Sequence, residues 1–355
     1  MHAREYSETI LPTVGLYVSH SGPGSEAGIL APSVPNWLPW LPLGASLVSL
    51  AISGPRFFVD EVQIVLEVLL LTVVTRTIGL RAGLLALAWS TGVVAPLTVV
   101  IGMVLAAAGI DMTDSVGNTV IVPVIEESLK LLPVLLVAWM IGRWQLSLLN
   151  LSDFLLLGVM AGAGFGMVES SYFDGVHTGE RYAPHVLGLN LVPTAWGEAG
   201  YVGHGAATGL IALAYGFGAY LRRTRSAAAW WWAVPAAASA WVLVEHGFAN
   251  AYINTSSSGL LVLGGGRVTP WLFLAAAFVA IGIDARHAMA TLKRSPTIQA
   301  RRALITVYLD KQRRSRRWPT PAAVLTILAQ FRWLNATAWF DATGGAASRG
   351  QAVAK

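Results

Sequence analysis

Apolar runs of about twenty residues, divided by short polar connections, follow one another along this chain as far as residue 283. A helix needs roughly 20 mostly apolar residues to cross a bilayer, and only a helix or closed barrel satisfies its own backbone there. The pattern predicts about eight spans, near residues 36–53, 57–75, 82–109, 119–141, 151–172, 198–221, 230–252 and 266–283. The first is short and interrupted by prolines. The expected fold is therefore all-α, a polytopic transmembrane helix bundle, with an N-terminal segment 1–35, a membrane domain 36–283 and a C-terminal extension 284–355.

Composition agrees. The chain is 55% hydrophobic and 12% charged, about half the charge of an ordinary soluble domain. It has no cysteine, which excludes a disulfide framework, a thiol nucleophile and a cysteine metal site. No basic stretch leading directly into an apolar run marks a cleavable signal peptide, so the first span is expected to act as the signal.

The placement of charge orients the bundle. Arg76 and Arg81, then Arg143, then Arg222, Arg223 and Arg225 fall in alternate connections, and a basic stretch follows the last span. The intervening connections are acidic or neutral. The positive-inside rule thus predicts a multi-pass cell-membrane protein with both termini cytoplasmic. The basic tail "DKQRRSRRW" suits anionic lipid; no motif points to nucleic acid, and none is expected as a partner.

Against this background, ionisable residues within spans are candidates for function. The fourth span carries Glu126, Glu127 and Lys130, the fifth Glu169, the sixth His204, and the seventh His246 and Asn250. At 1.5 Å per residue, Glu126 falls roughly 10 Å below the outer face. The other residues, on helices of alternating direction, fall in the same outer layer. One shared site explains the coincidence. Glu126 and Lys130 lie on one helix face, as do His246 and Asn250, while Glu127 points about 100° away from Glu126.

Two histidines and a carboxylate suffice to hold zinc and leave a position for water. Zinc brings that water's pKa to about 7, a further carboxylate can take its proton, and Asn250 can donate to an oxyanion. No HExxH motif is present, so the site is not that of an ordinary zincin.

These residues resemble the motifs of the PrsW family of intramembrane proteases, related to the CAAX prenyl protease and bacteriocin-processing group. "EExxK" is Glu126, Glu127 and Lys130; an aromatic with an acid four later is Phe165 and Glu169; then come His204, and His246 with Asn250. The motif core spans about residues 119–252. The resemblance implies a membrane-embedded metalloendopeptidase acting on membrane-protein substrates near the extracytoplasmic face. A single-span anti-sigma factor, in its first cleavage, is the substrate the family suggests. In this reading Glu169, His204 and His246 hold the metal, Glu126 or Glu127 is the base, and Lys130 pairs with the other. Spacing leaves open which carboxylate is ligand and which is base. The rivals are a proton-coupled transporter or channel and a noncatalytic scaffold using the same cluster.

Other polar residues have simpler expected roles. Gly162 and Gly166 suit close helix packing, and Trp230–Trp232 an interfacial belt. Asp60 and Glu61, near the outer end of the second span, are expected to be hydrated. Glu245 either supports the site or pairs elsewhere, His177 and His185 are expected to be solvated, and Glu67 has no evident role.

Overall fold

The computed structural model describes residues 40–53, 59–140, 149–173, 202–224, 230–255 and 268–294, with Val324, Leu328, Arg332 and Asn335 of the tail. Segment 1–35, the connection bearing His177 and His185, and most of the extension 284–355 lie outside the described residues. Among those described, every regular element is helical: α1 (Trp40–Ser53), α2 (Val59–Leu71), α3 (Leu80–Trp89), α4 (Ala95–Ala107), α5 (Val122–Lys130), α6 (Leu132–Met140), α7 (Leu151–Phe173), α8 (His204–Thr224), α9 (Ala233–Thr255) and α10 (Val268–Arg294).

Three of the expected spans are both long and apolar enough to cross a membrane: Leu80–Ala107, Leu151–Glu169 and Val268–Ala290. The others fall short for local reasons. α2 has 13 residues, the fourth expected span breaks at Leu131, and α9 is made less apolar by Glu245, His246 and Asn250. Large apolar side chains nevertheless point outward, with Leu70 and Met103 among the most exposed. A surface of that kind fits a protein solvated by lipid.

α7 is the centre of the bundle, with 94% of its spanning window buried against 33% and 39% for the other two. It packs on α2, α3, α8 and α10. The expected glycine packing is present and extends further: Gly158, Gly162 and Gly166 recur every fourth residue on α7. A side chain at Gly158 would meet Ala212 and Thr208, and one at Gly162 would strike the His204 carbonyl. These absences let α8 lie close enough to deliver His204 to the interior. Gly162→Ala is expected to force α8 outward and destabilise the fold by about 1–3 kcal/mol, the usual range for an overpacked contact. Thermal unfolding in detergent, with zinc content on the same sample, checks this.

Prolines shape the site-bearing helix. Wide π-turns at Ser90–Val94 and Gly117–Ile121 each lead into a proline, Pro96 and Pro123. Proline has no N–H and its ring crowds the carbonyl four residues back, and a wide turn accommodates both. Pro123 thereby leaves the Thr119 carbonyl without its helical donor, and Gly247 of α9 sits directly on that carbonyl. The close approach carries the neighbouring His246 against α5.

The far end of α7 is held by a buried polar cluster that the sequence pattern did not reveal. Asn150 and Asp153 cap each other (Asp153 N–H to Asn150 Oδ1, 2.9 Å; Asn150 N–H to Asp153 Oδ2, 3.2 Å). Asp153 also accepts from the backbone of Thr77 and Ile78 and from the Thr77 hydroxyl. Asp284 accepts from the N–H groups of Leu151 and Ser152, at 3.3 and 2.7 Å. These carboxylates sit where a helix start favours negative charge. The last helix runs on to Arg294, eleven residues past the expected boundary at 283, and Asp284 lies on its buried face.

Candidate metal centre

Lys130 organises the site. Its ammonium is fully buried and lies 2.9 Å from Glu127 Oε1, 3.4 Å from Glu126 Oε2 and 2.7 Å from His204 Nδ1. It also stands 4.1 Å from the centre of the Phe165 ring. A buried ammonium with three donors is tolerable only when each finds a partner, and here each does. The i,i+4 spacing of Phe165 and Glu169 puts the aromatic ring beneath the ammonium and the carboxylate one turn further along, against His204 Nε2.

His246 is held from behind. Its Nδ1 is 3.0 Å from Glu127 Oε1, while Nε2 lies 3.7 Å from Glu126 Oε2. With Nδ1–H donating to Glu127, the Nε2 lone pair faces Glu126 across a gap too wide for a hydrogen bond. Two ligand atoms on a tetrahedral zinc with bonds of about 2.0–2.2 Å stand roughly 3.4 Å apart. The gap is of that size, and a carboxylate behind the ring is the usual support for a metal-bound histidine. Thr208, one turn along α8 from His204, reaches Glu127 Oε2 at 3.5 Å.

Glu126, His204 and His246 each present a donor atom, all within 4.8 Å of one another. The cluster also carries more acid than base: Glu126, Glu127, Glu169 and nearby Glu61 are accompanied by one lysine. Buried charges need opposite charges close by, so a divalent cation fits both the donor set and the charge.

The structure thus brings together Glu126, Glu127, Lys130, Glu169, His204 and His246 from α5, α7, α8 and α9. Asn250 is one turn from His246, and its amide donates to the Asn118 carbonyl at 3.0 Å, with Asn118 returning a bond to the Asn250 carbonyl at 3.3 Å. The clasp ties α9 to the π-turn before α5. Glu245 pairs elsewhere, accepting from Thr269 at 2.6 Å, which in turn accepts from Trp241 at 2.8 Å. Glu67 accepts from Gln63 one turn away, at 3.0 Å.

Glu61 is a correction. Expected to be hydrated, it is only 9% exposed, because α2 packs on α7 and α8 and its carboxylate fits against Gly166 and Gly205. The inward face of α2 carried the signal: Glu61, Ile64, Val65 and Val68 are buried, while Val62, Leu66 and Leu70 point out.

Fold and site together define a membrane-embedded helical protein with a buried Glu/His centre suited to a metal. A sequence profile of the PrsW family of intramembrane metalloproteases matches residues 79–283. That is more than half of the chain, and it contains every residue of the centre except Glu61; the protein belongs to this family. No curated protein and no solved structure matches it.

Proposed function

We propose that this protein is an intramembrane metalloprotease that hydrolyses a peptide bond of a membrane-protein substrate, with zinc held by Glu126, His204 and His246. The observation that carries the reading is the convergence of those three donors within 4.8 Å, with Glu127 supporting His246 from behind. This exchanges two carboxylates relative to the sequence expectation, making Glu126 the ligand and Glu169 the base. Glu169 is the more accessible of the pair, its side chain 21% exposed against 7% for Glu126. A base that must reach water is better placed there.

The chain's residues divide the work. Lys130 donates to His204 Nδ1, so that ring's hydrogen sits on Nε2, facing Glu169. For Nε2 to offer its lone pair to a cation, the neutral ring would carry its hydrogen on Nδ1, with Lys130 Nζ accepting it there after releasing a proton to water, so that Glu169 stays a carboxylate and a base. When bound, zinc supplies Lewis acidity towards a water and a carbonyl oxygen. Glu169 takes a proton from the attacking water and returns it to the amine nitrogen as the C–N bond breaks. Asn250 keeps one amide hydrogen on Asn118 and offers the other to the developing oxyanion. Glu127 and Lys130 hold positions.

The charge pattern of the connections supports cytoplasmic termini and a site near the extracytoplasmic face, within a protease domain 36–283 followed by a basic extension. The motif resemblance supports a single-span anti-sigma factor as the substrate. The test is cleavage of a single-span reporter by purified protein in liposomes. Cleavage that stops with 1,10-phenanthroline and returns with zinc is the expected result; cleavage indifferent to chelation would contradict the metal.

A further inference from the structure

We propose that Glu61 is a positioning residue of this centre: its carboxylate, seated between Gly166 and Gly205, fixes the first turn of α8 and with it the ring of His204. The inference rests on the reading of His204 as a metal ligand, and goes beyond it to a residue upstream of the family-matched segment 79–283.

α2 places Glu61 on its inward stripe with Ile64, Val65 and Val68, so the carboxylate faces protein. A buried carboxylate in a lipid-solvated helix is retained only where it finds polar company. The neighbours show what company that is. A β-carbon at Gly166 would run into Glu61 Oε1 and stand 3.4 Å from His204 Cδ2; one at Gly205 would lie 3.1 Å from Glu61 Oε2. The two glycines, one on each helix, leave a slot that the carboxylate fills, and the His204 ring edge borders the same slot.

That slot lies at the start of α8. Gly203, at φ +86°, turns the chain into the helix, and its carbonyl takes the Ala207 N–H at 3.1 Å. The N–H groups of His204, Gly205 and Ala206 therefore have no partner within the helix. Helix starts usually draw a capping oxygen from a Ser, Thr, Asp or Asn at the cap itself. Gly203 has no side chain to give, and the Glu61 carboxylate stands at this turn, where negative charge is favoured. Lys130, Glu169 and Phe165 already surround the His204 ring. Glu61 is thus placed to act through the backbone that carries the ring.

The experiment uses full-length protein in detergent, with ¹⁵N-labelled histidine, and compares Glu61→Ala, Glu61→Gln and Glu61→Asp with an Ile64→Ala packing control. The His204 ring signal is identified by its loss in His204→Ala. Glu61→Ala is expected to move that signal, with or without zinc, while leaving the His246 signal in place. Zinc affinity should fall about 10–100-fold, as for other outer partners of a metal ligand, and kcat should fall with KM little changed. Glu61→Gln, whose amide oxygen still accepts, should recover part of the loss and keeps the test readable if the alanine variant fails to fold. An unmoved His204 signal with wild-type zinc affinity would overturn the proposal, as would an equal shift in Ile64→Ala. Should the wild type bind no zinc, the metal reading fails, and the metal-free His204 signal still decides the role of Glu61.

Discussion

Glu126→Gln is expected to lower kcat/KM by at least about 10³-fold, or roughly 4 kcal/mol of transition-state stabilisation, while the protein stays folded. Glutamine keeps the shape of the side chain and removes the charge that the cation needs. Removing a partner that only supports a ligand costs roughly 10–100-fold in activity or metal affinity; removing the ligand itself should exceed that. Folding is spared because Lys130 retains Glu127 at 2.9 Å and His204 at 2.7 Å. Reporter cleavage, measured beside thermal unfolding of the same preparation, checks both halves. Normal cleavage by the variant would remove Glu126 from the centre.

The largest loss of stability is expected from Lys130→Met. Methionine fits the space but leaves Glu126, Glu127 and the Nδ1 of His204 without their shared donor in a fully buried position. Removing one member of a buried ion pair costs about 3–5 kcal/mol, a large part of the stability of a typical domain. The double variant Lys130→Met with Glu127→Gln should recover part of that loss, since it removes one of the stranded charges. A double-mutant cycle by thermal unfolding in detergent measures the coupling. Strict additivity of the two changes would show that the pair does not interact as described.

Much of the centre could be read from the chain because hydrocarbon makes polar residues informative. Depth along successive spans brought Glu126, Glu169, His204 and His246 to one layer, and helical spacing paired Glu126 with Lys130. Helical spacing also put Asn250 beside His246, yet could not show that its amide turns to Asn118. Glu61 escaped because a carboxylate in the first turn or so of an expected span is equally satisfied by water; only the glycines facing it, on two other helices, reveal burial. Asp153 and Asp284 escaped for a related reason. Polar residues at a span's end read as interface, whereas these cap a buried helix start contributed by distant sequence. The break at Leu131 had a local signal in Pro133, but overall apolarity hid it. Glu67 accepts from Gln63, four residues away, a pairing that helical spacing allows.

The division of labour among the carboxylates is the part that spacing could not resolve and geometry addresses. Glu127 touches Lys130, His246 and Thr208, the pattern of a group that orients others. Glu126 faces Nε2 of His246 at 3.7 Å, and Glu169 is the most exposed of the three. In the proposed reading, one side chain supports, one would bind the metal, and one reaches water.

The central claim is the metal, and its most direct test is the zinc content of purified protein, wild type against His204→Ala and His246→Ala. The account predicts about one zinc per chain in the wild type, the tetrahedral stoichiometry of a single three-ligand centre, and its loss in both variants with folding retained. A folded wild type without zinc after reconstitution, or variants that hold it as well as the wild type, would contradict it.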